Sequence, residues 1–189
     1  MALINSSVVD IAADVALATS KPNIKGNDDK LLANDVALDA RIVTLEAKIY
    51  GELFAIANGT ANALTTQNTW YKYVSWTNVG ATAGTTISLD TDDIICPTAG
   101  VYRISFNASF NGSLSETFEL AVFKNEGATE LTNIHIERAL GTGGDIGAVA
   151  ASGIVTLTAN DKIELWVRCL SGASKSITIK DANMNLVKL

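Results

Sequence analysis

A chain of 189 residues with 48% hydrophobic and 18% charged positions has room for one full domain with an appendage and can bury a sizeable core; this low charge, with Gly 14 and Pro 2, excludes a disordered chain. The formal net charge of −6 comes without any lysine–arginine cluster, which excludes phosphate-backbone recognition, so no nucleic acid is expected as partner. Acids interrupt every apolar run well short of the about 18 residues a membrane helix needs, so no membrane association is expected either.

The opening stretch MALINSSVVDIAAD lacks the basic start of a secretory signal, so export is not expected. The sequons at Asn58, Asn107 and Asn111 are then not expected to carry glycans, and Cys96 and Cys169 are expected as buried free thiols rather than a pair. Ser7 followed by Asp10 reads as a capping box, and VVDIAADVALA continues as a short amphipathic helix. Leu3, Ile4, Val8, Val9, Ile11, Val15 and Leu17 supply more apolar surface than one short helix can hide, which marks them as an anchor docked on a larger particle.

TSKPNIKGN holds Pro22 and Gly26 and reads as a loop. A second helix is predicted from Asn27 as N-cap, with Asp28 and Asp29 favourably placed against the helix dipole, to about Ala57, where Asn58-Gly59 is a stop. Gly51 lies inside this span as a dividing point. Asp14-Val15-Ala16-Leu17 recurs as Asp35-Val36-Ala37-Leu38, three heptads on, as a coiled-coil stalk requires. Leu31, Leu38, Ile42, Leu45 and Ile49 follow the seam spacing, although Asp35 and Glu52 fall on core positions and leave about two clean heptads. Leu38, Ile42, Leu45 and Ile49 are assigned to helix self-association; packing of this helix on another protein is an equal alternative.

From Asn62 onward the apolar period becomes two. TWYKYVSW puts Trp70, Val74 and Trp76 on one face and Tyr71 and Tyr73 on the other. TTISL leads into the acidic turn Asp90 to Asp93, and VYRISFNASF brings Tyr102, Ile104, Phe106, Ala108 and Phe110 together before a turn at Asn111-Gly112. FELAVF, the turn KNEG, LTNIHIER and the glycine-rich loop Gly141 to Gly147 follow, then AVAASGIVTLT. In KIELWVR, Ile163, Leu165 and Val167 alternate with Lys162, Glu164, Trp166 and Arg168; SITIK and the tail MNLVKL complete about eight strands. The fold class is therefore mainly β, an antiparallel β-sandwich or barrel, with a helical anchor and coiled-coil stalk over 1–60 and a head over 61–189.

Catalytic chemistry finds little footing. His135, alone of its kind, alternates with Ile134 and Ile136 and is expected at the surface or a subunit contact; a metal centre or a nucleophile–base pair would need more partners. No Gly-x-Ser-x-Gly elbow exists, and GTGGDIG lacks the lysine of a phosphate loop. No enzyme, cofactor or resident metal is expected; Asp90, Asp92 and Asp93 are weak candidates for calcium, in a turn that matches no defined loop.

Three stretches resemble the trimeric jelly rolls of the complement globular-head and tumour-necrosis-factor superfamily: PTAGVYRISF (97–106), AVFKNEG (121–127) and SGIVTLTANDKIELWV (152–167). Gly100-Val101-Tyr102 matches its Gly-x-Tyr strand entry, Lys124 to Gly127 its Lys-Asn-x-Gly turn, and Leu157 to Asp161 its Leu-x-x-Gly-Asp, with Asn160 in place of glycine. The resemblance implies a jelly-roll β-sandwich and a homotrimer whose heads bury flat apolar faces against each other. Such heads on a short helical amino terminus also resemble bacteriophage head-fibre, capsid-decoration and tail-fibre proteins. That implies a virion structural protein, assembled in the host cytoplasm and bound to capsid or other virion proteins through its first segment. The alternative is a receptor module of a tail fibre or lectin that binds host-surface glycan, with Trp70, Trp76 and above all Trp166 facing the ligand.

Overall fold

The structure, a computed structural model, describes residues 26–39, 48–143 and 145–189, and the chain divides between Ala47 and Lys48 into two units. In the first unit residues 26–39 form helix α1, already helical at Gly26, one residue before the predicted N-cap Asn27. Leu31, Leu32, Val36 and Leu38 are all more than half exposed on it, and a helix this short is marginal by itself. The anchor residues Leu3, Ile4, Val8, Val9, Ile11, Val15 and Leu17, and the seam residues Ile42 and Leu45, lie outside the described residues.

The second unit opens with β1 (Tyr50–Ala55), so the predicted continuation of the helix to Ala57 and the start of the head at Ala61 are both corrected. In YGELFA the heptad spacing already fails at Glu52, while as a strand the segment alternates, with Gly51, Leu53 and Ala55 buried. Gly51 sits so close to the Thr85 side chain that any Cβ would collide. Ile49, expected on the helical seam, instead precedes β1 and packs on the sandwich core, and its carbonyl accepts the Lys188 N–H at 2.9 Å.

Five short strands follow: β2 (Asn62–Leu64), β3 (Tyr71–Lys72), β4 (Asn78–Val79), β5 (Thr86–Ser88) and β6 (Asp93–Ile95). Six long ones complete the head: β7 (Gly100–Gly112), β8 (Thr117–Lys124), β9 (Thr129–Ala139), β10 (Gly147–Leu157), β11 (Lys162–Cys169) and β12 (Lys175–Lys188). The strand count exceeds the predicted one because the region 62–95, short of long alternating runs, breaks into pieces of two or three residues. SITIK and the tail form one strand, β12, in which a bulge between Ile179 and Asp181 absorbs one residue. The turn after β7 is set by Ser115 in the left-handed region (φ 58°), three residues beyond the predicted Asn111-Gly112.

Two antiparallel sheets result, the first in the order β10-β7-β12-β1-β4 with β2 on β12, the second β5-β6-β11-β8-β9 with β3 on β11. Neighbours far apart in sequence make this a jelly roll. Tyr102, Ile104, Phe106, Ala108 and Phe110 of β7 are all buried, as their alternation requires, against Phe118, Leu120 and Val122 of β8 and Ile163, Leu165 and Val167 of β11. Phe110 and Phe118 meet edge to face at 5.9 Å. Each such large side chain contributes about 1.5–3 kcal/mol by leaving water. Cys96 and Cys169 are buried and unpaired.

The sandwich has two distinct ends. At one, β1 begins beside the end of β12 and the start of β7, so the chain enters the head where it also finishes. At the other, the turns 113–116, 140–146 and 170–174 are tied together by Leu140 N–H to Glu116 O (2.9 Å), Ser115 N–H to Gly141 O (3.1 Å) and Lys175 to Glu116 (2.5 Å). Leu114 and Ile146 stand exposed on this far end.

Candidate functional site

Three surfaces are candidates for contact with another molecule. On the outward face of the second sheet, every residue of FELAVF is buried, the polar-facing positions included. The cover comes from Trp70 beside β3: its ring meets Phe123 edge to face at 5.0 Å, approaches His135 at 6.5 Å, and carries the Arg168 guanidinium 4.4 Å above its plane. Glu119 takes both Arg168 and His135, and Glu130 holds the other ring nitrogen of His135 at 3.2 Å. His135 is thus at the surface as its alternation implies, engaged by two carboxylates.

Trp166 is half-buried in this cluster. Its Nε1 donates to Glu164 at 3.0 Å, Phe123 lies tilted on it at 5.4 Å, and Gly127 presses so closely that a Cβ would come within 2.7 Å of the ring. Glu164, expected to flank an outward Trp166 at the surface, is fully buried. It accepts from Lys72 Nζ at 2.8 Å and Gly127 N–H at 3.2 Å, so β3 and the β8–β9 turn close over it. The ring expected to face a ligand is therefore packed on several sides. Trp76 is core, 4.9 Å from Tyr73, and Val74, expected on the same face, points to solvent, because the short β3 does not sustain the alternation. Burial pushes the Tyr73 hydroxyl up to about 12, while Asn58 donates to it at 3.0 Å.

The acidic turn scatters rather than converges. Asp90 is exposed; Asp92, in the left-handed region at φ 52°, and Asp93 are buried, and burial pushes both carboxyls above the usual range. Asp93 is fully buried with neither oxygen hydrogen-bonded among the described residues, and Lys162 Nζ stands 3.9 Å away. Among the described residues no group of three or more His, Cys, Asp or Glu is placed to hold a metal ion.

The outward face of the first sheet differs in kind, being built mostly from small polar residues and alanines, with Arg103, Asp181 and Glu52 among them. Ala148, Ala150 and Ser152 of β10 lie beside Ser109, Asn107 and Ser105 of β7, which lie beside Asp181, Asn183 and Asn185 of β12. Side chains bond along it: Ser105 Oγ to Asn185 at 2.8 Å, Asn185 to Asn183 at 3.2 Å, Asn183 to Glu52, and Ser109 Oγ to Asp181 at 3.1 Å. At the end where the chain enters, Val101 (44% exposed) and Leu189 (64%) are joined by Leu189 N–H to Val101 O at 3.0 Å, and Ile154 (60%) of β10 lies diagonally across from Val101, beside the exposed Arg103; together they make a small, partly apolar patch. The uniformly apolar faces expected from the resemblance are not found on this sheet, where exposed apolar side chains stand among polar ones.

About 20 Å along β7 from Val101, at 3.3 Å per residue, the bulge of β12 opens a shallow depression of about 370 Å³. Phe54 and Ile56 give it apolar surface, and Glu52, Asn107, Asp181 and Asn183 give it polar groups, with Phe54 and Glu52 both carried by β1. Sequence reasoning missed this site because only the pairing of β1 with β12 brings Glu52 and Asn183 together.

No protein-family model and no curated protein matches the chain. Among solved structures, the fold is similar to Eiger TNF from S. frugiperda (TM-score 0.57, 14% identity, covering 76% of this chain and 94% of that one). It is also similar to murine APRIL (TM-score 0.50, 14% identity, 74% and 99%). At this identity the likeness is one of fold: an antiparallel jelly-roll β-sandwich.

Proposed function

We propose that this chain is a structural protein of a virus particle, a homotrimeric capsid-decoration or head-fibre protein held to the particle through its first unit. The observation that carries it is the patch of Val101, Ile154 and Leu189, exposed beside the point where the chain enters the head. Apolar groups so exposed favour association of heads with one another about a symmetry axis. Leu31 and Leu38, exposed on α1, are further surface for the stalk or for the docking protein. Leu3, Ile4, Val8, Val9, Ile11, Val15 and Leu17 are the anchor in this reading, and the head is passive. The test is decoration of purified particles: antibody against the chain labels intact virions, and substitution of Val8 and Ile11 by Asp releases the protein from them. Protein absent from virions, or retained in full by the substituted chain, contradicts the proposal.

A second reading, a receptor module that binds host glycan, is favoured by the depression on the first sheet rather than by Trp166. It is compatible with trimer formation, because the apolar patch lies at the other end of that face.

A further inference from the structure

We infer that the depression at the β12 bulge is a binding site for a neutral pyranose sugar, an inference that rests on the receptor reading and moves its ligand away from the tryptophans. Three observations converge.

First, the site is a shallow depression beside the point where the extra residue between Ile179 and Asp181 shifts the register of β12. Its volume, about 370 Å³, is at the small end of the range that holds small ligands. Second, its polar groups are held in place before any ligand arrives. Asp181 accepts Ala57 N–H at 3.0 Å with one oxygen and Ser109 Oγ at 3.1 Å with the other, and Glu52 holds the Asn183 amide. Each carboxylate oxygen keeps a second lone pair for a hydroxyl. Asn107, exposed on the floor, takes part in none of these bonds, which leaves its amide to donate and accept.

Third, β1 and the residue after it add apolar surface to the lining. Phe54 is half-buried and Ile56 is 64% exposed, so a ring with one face of C–H groups covers them while its hydroxyls meet Asp181 and Asn107. The combination of apolar surface with hydrogen-bonding groups around it suits a pyranose. Two lining carboxylates oppose anionic ligands, so sialylated or phosphorylated sugars are excluded. The cluster on the second sheet offers no such opening: its carboxylates already hold Lys72, Arg168 and His135.

The experiment is a glycan array probed with the full-length chain, followed by titration of the sugars retained. Asn107→Arg plugs the site from an exposed position and is expected to abolish binding; Asn107→Ala weakens it about three- to tenfold. Neither change touches a residue that holds the fold, and Trp166→Phe is expected to bind as the parent does. Binding that survives Asn107→Arg overturns this site while leaving the receptor reading. A parent chain that retains no neutral sugar overturns both.

Discussion

The carboxylate of Asp161 accepts the side-chain amide of Asn125 at 2.8 Å, joining two turns 36 residues apart in sequence. The same carboxylate accepts Lys124 at 3.2 Å and Thr158 N–H at 2.9 Å, and the Asn125 carbonyl oxygen takes Lys162 N–H at 3.0 Å. The Lys-Asn-x-Gly turn and the Leu-x-x-x-Asp stretch, read separately from the sequence, are thus two halves of one clasp that fixes the β8–β9 turn to the β10–β11 turn. Asn160 adopts the left-handed conformation (φ 70°) that its replacement of glycine requires.

Asp161→Ala is expected to cost about 2–4 kcal/mol, since it strips three charge-assisted hydrogen bonds from a nearly buried site. Burial alone raises this carboxyl, but Asn125, Thr158 and Lys124 together hold it down at about 2. A folded value below the unfolded one means that its contribution is full above the ordinary carboxylate range and lost as pH falls toward about 2. Urea midpoints of the parent between pH 5 and pH 2, compared with Asp161→Asn, check this: the variant loses less stability over that interval.

Asp93 behaves in the opposite sense. Its folded value is raised by burial, so the folded protein holds the proton more tightly than the unfolded chain, and stability falls as pH rises from the ordinary carboxylate value through the raised one. Lys72 of β3, Lys162 and Glu164 of β11 and Asp92 beside it are the charges that surround it. Asp93→Asn, which keeps the shape and removes the charge, is expected to raise stability at neutral pH by on the order of 1 kcal/mol. An unchanged or lower urea midpoint contradicts the account.

Trp70 closes the second sheet. Trp70→Ala uncovers Phe123 and leaves the Arg168 guanidinium without its ring, at an expected cost of about 2–3 kcal/mol. Denaturant unfolding measures it; a loss below about 0.5 kcal/mol places Trp70 outside the packed cluster.

How much of this was legible depended on the length of each alternating run. Over β7, a run long enough to fix its own register, alternation named Tyr102, Ile104, Phe106, Ala108 and Phe110 as core, and all five are. Over 50–55 the heptad spacing already fails at Glu52, and it is the pairing with β12, far away in sequence, that makes this segment a strand. In FELAVF every residue is buried, and Trp70, which packs on Phe123 from a distant earlier segment, is a contact that no local pattern announces. The depression was beyond reach for the same reason: neither the bulge of β12 nor the meeting of Glu52 with Asn183 leaves a mark in local composition.

Ile154 is the most exposed strand residue of the patch assigned to head association, so Ile154→Asp alters little of the packing within one chain. Its thermal unfolding at high dilution is expected to match that of the parent within about 0.5 kcal/mol.

The mass of the full-length chain in solution, by light scattering, tests the central claim most directly. The account predicts three times the 19.9 kDa of one chain for the parent and a single chain's mass for Ile154→Asp. A monomeric parent, or a variant that stays trimeric, contradicts it.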